Sequence, residues 1–366
     1  MESFLESFTD FKLYSVDEIE SLEYPENFYK ALKCYLRTSN DTLIYTMYVG
    51  YDGLIKDILD IIKQRKIQER KTRIVLDKNR GLTKQLDKFI KDHCMEDFFE
   101  FKDLSCAIQV SRFKEISAVF HSKLYMFDSD IIISGANLDN SYLTNRLDRY
   151  FLIKNGILSE DIRQQTFNIV DQKLKHDTDY LFTFDQGKEL DVISRIMDTD
   201  FDSVYLSSAY LNFPAEYFKL FNKQRNFSIF VNSPKMNHFD NFGTMGNIVT
   251  NVYKYSSYYA LKHLNKASLY EFEIDGFTMH KKGIWAFKDE MCVTIIGSSN
   301  FNRRSVERDE EFNFCVITSK KETVKLFKNE ILFLKEHSLK KEKHDYRFVW
   351  YDLIYIIIFY IFNKYF

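Results

Sequence analysis

Residues 121–150 read HSKLYMFDSDIIISGANLDNSYLTNRLDRY, and residues 280–311 read HKKGIWAFKDEMCVTIIGSSNFNRRSVERDEE. Both open on His-x-Lys, run through an apolar stretch, and reach a Gly closely followed by Asn. The first copy carries His121, Lys123, Gly135 and Asn137; the second carries His280, Lys282, Gly297, Ser299 and Asn300. A lone His-x-Lys says almost nothing, because a histidine on a strand is usually a satisfied structural residue. Two copies, each ending in Asn after an apolar strand, are hard to obtain by chance. They lie far enough apart for each to sit in its own domain-sized half.

Each copy reads as a β-hairpin. In the first, AVFHSKLYMF is one strand, Asp128-Ser129-Asp130 the turn and IIISGAN the return strand. Side chains alternate along a strand, so His121 and Lys123 are expected on one face. In the second, FTMHKKGIWAF and CVTIIGSSN flank the turn Lys288-Asp289-Glu290. The text before each hairpin alternates strand and helix. NFYKALKCYLRTSNDT opens helical, LIYTMYV (43–49) is β-rich, and GLIKDILDIIKQRKIQ places Leu54, Ile55, Ile58, Ile61 and Ile62 at helical spacing. TRIVLD and LTKQLDKFIKDHC continue the order, and SVYLSSAYL, AEYFKLFNKQ and FSIFVNS repeat it in the second half. The expectation is an α/β protein of two pseudo-symmetric halves, with the active site where the motifs meet. Residues 1–24 read as an N-terminal extension, 25–180 and 181–335 as the halves, and 336–366 as a tail; the boundary between halves is soft, within 175–200.

The bulk composition suits a folded enzyme. Hydrophobic residues at 45% and only 3 Pro and 11 Gly exclude disordered and collagen-like chains. A net charge of −2 gives no global attraction to nucleic acid, so any anion must be bound by a local cluster of cations. Cys34, Cys94, Cys106, Cys292 and Cys315 lack a Cys-x-x-Cys spacing, which argues against a zinc ribbon or disulfide scaffold. The first twenty residues are acidic and lack an apolar core, so no cleavable address is visible. In the tail, the basic stretch Lys340–Arg347 precedes FVWYDLIYIIIFYIF (348–362), whose uninterrupted apolar part is about half of the roughly 20 residues a spanning helix needs. Such a segment either lies in the headgroup layer of a membrane or packs on the core.

Two imidazoles, two ammonium groups and two amides are the equipment for displacement at a phosphorus diester. A neutral imidazole attacks phosphorus and splits one hard step into two. The second histidine, protonated, donates to the leaving oxygen and then serves as base for the incoming hydroxyl. Lysines and asparagines aimed at the phosphoryl oxygens stabilise the developing charge. This chemistry demands no metal or other cofactor, and the sequence shows no ligand cluster; a divalent ion acting through the substrate phosphates is compatible with it. Arg146 and Arg149 follow the first motif, and Arg303, Arg304 and Arg308 the second. Their guanidinium forks suit phosphate, though pairing with Asp148, Glu307 and Asp309 is the alternative.

The two motifs resemble the HKD signatures of the phospholipase D superfamily. GANLDNSYLTNRLDRY, GFTMHKKGIW and IIGSSNFNRRSVERDEE, and more weakly IYTMYVG, RIVLDKNRG and NSPKMN, resemble the eukaryotic-type phosphatidylglycerophosphate synthases within it, over about residues 25–335. The resemblance implies a phospholipase D-like fold. It implies transfer of the phosphatidyl group of CDP-diacylglycerol to glycerol 3-phosphate at a membrane surface, with release of CMP. It makes His121 the nucleophile and His280 the acid and base, with Lys123, Lys282, Asn137 and Asn300 on the phosphoryl oxygens. Asp128 would orient the site, Glu311 would support a catalytic histidine, and Arg146, Arg149, Ser299, Arg303 and Arg304 would bind substrate. Phe287 stands where the second motif's Asp would be, as in similar synthases. The resemblance implies a mitochondrion or a derived organelle, with the endoplasmic reticulum membrane as alternative. It leaves open another phosphodiesterase or phospholipid synthase of the superfamily, or a catalytically silent membrane-bound scaffold.

Overall fold

A computed structural model describes residues 1–104, 118–169, 177–236, 243–348 and 352–362. Cys106, Asn237 of the NSPKMN segment, residues 175–176 of the expected boundary and residues 349–351 and 363–366 of the tail lie outside that set. Two sheets dominate. The seven-stranded sheet runs, edge to edge, Ile19–Ser21, Tyr150–Lys154, Asp130–Ser134, Leu124–Phe127, Asp41–Tyr45, Lys71–Asp77, Phe99–Lys102. Seven strands of the nine-stranded sheet follow the same plan: Asp179–Asp185, Phe312–Thr318, Met291–Gly297, Gly283–Lys288, Ser203–Ser207, Phe227–Asn232, Ala267–Phe272. Tyr14–Val16 and Ser338–Lys341 add an edge strand at either end of it. The sequence repeat is therefore a repeat of topology.

Local chemistry sets these elements. Strands Asp130–Ser134 and Met291–Gly297 are apolar almost throughout because both faces of each sheet are covered. Helix Pro25–Thr38 starts on a proline, whose missing N–H costs nothing in the first turn, and buries Phe28, Leu32 and Leu36 on one stripe. Helix Lys84–Asp92 is capped by the Thr83 hydroxyl, which accepts from Leu86 N. Asp128 takes a positive φ of 52° at the hairpin turn, a conformation its short polar side chain tolerates.

Two expectations change here. The strand expected over AVFHSKLYMF is regular only from Leu124 to Phe127. The preceding segment leaves its own sheet because Phe120 bridges to Glu310 in the other half. The residues expected as an N-terminal extension supply one edge strand to each sheet: Tyr14–Val16 pairs with Asp179–Leu181, and Ile19–Ser21 with Phe151–Ile153.

The halves meet along the ends of Asp130–Ser134 and Met291–Gly297. A Cβ on Gly135 would lie 2.9 Å from the Gly297 carbonyl oxygen, and one on Gly297 would collide with Asn313 Oδ1. Gly135 is thus required by close approach across the interface, and Gly297 by close approach of the neighbouring strand of its own sheet. Arg149 closes the seam from the inside. Its guanidinium stacks 4.1 Å from the Trp285 ring, bonds the Ile295 carbonyl and grips Glu330 through Nε (3.1 Å) and Nη2 (2.7 Å).

Candidate active site

The motifs build one site by the same device used twice. His121 N donates to Glu310 O at 2.9 Å, and the next residue, Glu311, places Oε1 2.9 Å from His121 Nδ1. His280 N donates to Leu147 O at 2.7 Å, and the next residue, Asp148, places Oδ2 2.6 Å from His280 Nδ1. Each histidine is therefore hung on a backbone carbonyl of the opposite half and oriented by a carboxylate of the opposite half. A carboxylate on Nδ1 fixes the tautomer and leaves Nε2 as the reactive nitrogen.

The electrostatics keep both imidazoles neutral. Burial holds His121 well below the ordinary histidine range, reinforced by the Lys123 and Lys282 ammonium groups. Burial does the same to His280, with Lys282 and Arg146 adding to it. Burial also pushes Asp148 up to about 6, opposed by Lys282, and raises Glu311, opposed by Lys123 and Lys282. Lys282 is brought down to about 8 by burial, with Asp148 and Glu311 resisting. Lys123, fully buried, is held well below the ordinary lysine range, by burial first and then by Lys282. The two ammonium groups feel each other, as expected of a pair facing one anion.

The asparagines close the floor. Asn137 Oδ1 accepts from Met47 N at 3.2 Å. Asn300 is 8% exposed, and its Oδ1 has no hydrogen-bonding partner among the described residues. Arg146 sits at the rim with its guanidinium 4.8 Å from the Tyr142 ring, and its buried Nε has no partner among the described residues. Burial works to strip its proton, but Tyr142, Tyr210, Tyr48 and Asp148 outweigh it. The buried Arg303 Nε likewise lacks a hydrogen bond there, facing Glu307 at 3.5 Å. A cavity of about 760 Å³ opens beside Ser122 and Glu311, with Lys102, Lys188 and Arg308 in its wall.

Four expected site residues do other work. Asp128 is at the far end of its hairpin, where its carboxylate accepts from the backbone N–H groups of Asn40 and Asp41; it holds the turn and does not reach the histidines. Arg149 is sealed under Trp285 with Glu330, out of reach of substrate. Arg304 Nε binds Asp309 Oδ2 at 2.8 Å, and Asp309 Oδ1 accepts Val119 N, so this pair braces the segment leading to His121. Ser299 is buried, and its hydroxyl accepts from Phe301 N at 2.9 Å, shaping the loop beneath Asn300.

Conversely, four groups were not anticipated. Asp148 was read only as a surface partner for arginine. Tyr142 places its hydroxyl 3.3 Å from His280 Nε2. Ser298 donates to Glu311 Oε2. Glu189, pushed up to about 7 by burial, accepts from Tyr217 and Asn313 below the second motif. The first had a signal: laying Gly135 on Gly297 brings Asp148 close to the position of Glu311.

Among the described residues, no group of three or more His, Cys, Asp or Glu could hold a metal ion, and no helix is long and apolar enough to cross a membrane.

Comparison with known proteins agrees with this geometry. No family model matches the chain. The chain is similar to the mitochondrial CDP-diacylglycerol–glycerol-3-phosphate 3-phosphatidyltransferase of Gallus gallus, 23% identical over 84% of this chain and 76% of that protein. It is similar to the human mitochondrial protein of the same name at 23%, over 83% and 74%. The probable enzyme of that name from Dictyostelium discoideum is 25% identical over 87% and 72%. Among solved structures, phosphatidylserine synthase of Haemophilus influenzae superposes with a TM-score of 0.81 at 16% identity, covering 100% of this chain and 98% of that one. Over 83% or more of its length, the chain is a relative of the CDP-diacylglycerol–glycerol-3-phosphate 3-phosphatidyltransferases, carried on an α/β fold of two pseudo-symmetric halves that it shares with phosphatidylserine synthase.

Proposed function

We propose that the chain is a phosphatidyltransferase that moves the phosphatidyl group of CDP-diacylglycerol onto glycerol 3-phosphate, releasing CMP and forming phosphatidylglycerophosphate. The likeness to transferases of that name supplies the substrates. The observation that carries the chemistry is the pair of neutral, carboxylate-oriented histidines with two lysines between them.

His121 Nε2 attacks the phosphatidyl phosphorus. Its Nδ1 proton is held by Glu311, so the imidazolium formed is stabilised as the bond to phosphorus closes and the bond to CMP opens. The anionic phosphodiester favours a second proton on His280, at Nε2, with Asp148 stabilising the imidazolium. His280 gives that proton to the departing oxygen, becomes neutral, and then takes one from the glycerol 3-phosphate hydroxyl as that oxygen displaces His121. Lys123 and Lys282 hold the non-bridging oxygens throughout, and Asn137 and Asn300 line the same floor. The order of the two histidines is supported by their Nε2 environments. That of His121 has no hydrogen-bonding partner among the described residues, whereas that of His280 shares the Tyr142 hydroxyl. Arg146, whose buried Nε has no hydrogen-bonding partner among the described residues, suits an anionic substrate. The relatives labelled mitochondrial support a mitochondrial or mitochondrion-derived site of action at a membrane surface.

The test is a product assay with purified protein, CDP-diacylglycerol in detergent micelles and labelled glycerol 3-phosphate. CMP together with labelled phosphatidylglycerophosphate, both lost in His121→Ala, is the expected result. CMP with phosphatidic acid alone would make water the acceptor and the protein a hydrolase. No CMP from folded protein would remove the transferase reading.

A further inference from the structure

The tail is a short helix with one face in use and the other bare. Helix Leu353–Phe362 lies on the long helix Gly243–His263, where Phe359 is buried against Tyr255 (ring centroids 5.2 Å) and Tyr259 (5.3 Å). The opposite face shows Leu353, Ile354, Ile357 and Ile361 to solvent, each between 48% and 59% exposed, with Tyr360 at its edge, equally exposed but with its hydroxyl 3.4 Å from that of Tyr255. Residues three, four and seven apart along a helix share a face, so these side chains form a single apolar stripe. A stripe of that kind in water needs a partner.

We propose that this stripe is a membrane-docking face which enters the headgroup and upper acyl region of an anionic lipid monolayer and sets the active-site mouth against it. Three observations favour a monolayer. The first is size. A ten-residue helix is about 15 Å long, and one face of it falls well short of the roughly 800 Å² per partner that a stable protein interface buries. A lipid surface accepts protruding aliphatic side chains without such an area.

The second is charge. The stretch Lys340–Arg347 just before the helix carries four Lys or Arg against two carboxylates, and Lys343, His344 and Arg347 are exposed. Anionic headgroups attract such a segment over about a Debye length. Tyr360, beside the aliphatic residues, is a side chain that favours the membrane–water boundary.

The third is position. The supporting helix reaches the site directly: Tyr253 stacks on Tyr210 at 4.6 Å, and Tyr210 acts on the charge of Arg146 at the rim. A lipid whose headgroup must reach His121 would therefore leave the bilayer next to the docked helix. This placement rests on the lipid substrate proposed above; the docking itself does not.

The experiment is flotation of the full chain with phosphatidylcholine vesicles, with and without 30% phosphatidylglycerol, and no substrate present. The wild-type protein should float with the anionic vesicles, and less so in 0.5 M salt. Ile354→Asp combined with Ile357→Asp should weaken that partition by roughly tenfold or more, with circular dichroism unchanged. Lys343→Glu with Arg347→Glu should weaken it less and remove the salt dependence. Turnover of a short-chain, water-soluble CDP-diacylglycerol should survive the double Asp change while turnover of vesicle-borne substrate falls. Undiminished flotation of the Ile354/Ile357 variant, or absence of flotation in the wild type, would overturn the proposal. A concentration-dependent dimer dispersed by the same variant would instead make the stripe a contact between copies. Because flotation needs no catalysis, failure of docking and failure of the transferase reading give separate results.

Discussion

The two histidine centres share a frame and differ at one atom. Both take a backbone N–H···O bond to the opposite half and a carboxylate on Nδ1 from the residue that follows. The supports of those carboxylates differ: Glu311 is held by the Ser298 hydroxyl, Asp148 by the Arg149 backbone N–H at 2.7 Å. The decisive difference is at Nε2, which on His280 is shared with the Tyr142 hydroxyl and on His121 has no hydrogen-bonding partner among the described residues. The common frame follows the repeat of topology between the two sheets. In the proposed mechanism the tyrosine distinguishes the nitrogen that bonds phosphorus from the one that handles protons.

The largest way to break the comparison is His121→Ala, which should reduce turnover by about 10³-fold or more with the fold intact by circular dichroism. Residual covalent labelling of the variant by substrate would move the nucleophile to His280. Next, Asp148→Asn and Glu311→Gln should each cost about 10²-fold in kcat, since each leaves one imidazole without its orienting charge. A large loss in one and none in the other would mean that only one half uses its carboxylate.

The pH profile sharpens the picture. Asp148, at about 6, gains a proton as pH falls and no longer stabilises a protonated His280; Lys282, at about 8, loses its charge as pH rises. We expect a bell-shaped kcat/KM with limbs near those two values, and a single flat limb would contradict it. Tyr142→Phe should cost a few-fold in kcat and alter the acid limb while leaving KM for glycerol 3-phosphate unchanged; a pure KM effect would make Tyr142 a substrate contact. The smallest effect is expected from Asp128→Asn, about 1 kcal/mol of stability from the weakened turn and less than twofold in kcat, read from urea unfolding and steady-state rates. A large kcat loss there would restore Asp128 to the site.

Much of this was legible in the sequence. The alternation of apolar strands and amphipathic helices, read twice, implied two α/β halves, and the repeated His-x-Lys located the chemistry. What could not be read were contacts made between the halves. His121 leaves its strand because Phe120 finds a partner at Glu310, a pairing no local pattern encodes. Arg149 looked like a phosphate ligand because it follows the first motif and a guanidinium fork suits phosphate; Trp285 and Glu330, which bury it, come from the other half. Asp148 sits between two arginines, where a surface pair is the ordinary reading, and only the fold turns it toward His280. Asp128 misled for the opposite reason: it belongs to the motif by spacing, while a turn is what requires it.

The first strands of the chain have a mechanical consequence. Tyr14–Val16 is stitched to one sheet and Ile19–Ser21 to the other, with only Asp17 and Glu18 between them. Three Cα–Cα steps reach at most about 11 Å, so along this edge the halves cannot be pulled apart. Lys320 tightens the clasp by donating to the Asp17 carbonyl at 2.6 Å. Any widening of the cleft to admit a two-chain lipid must then be a swing about this clasp, like a book opened from its spine.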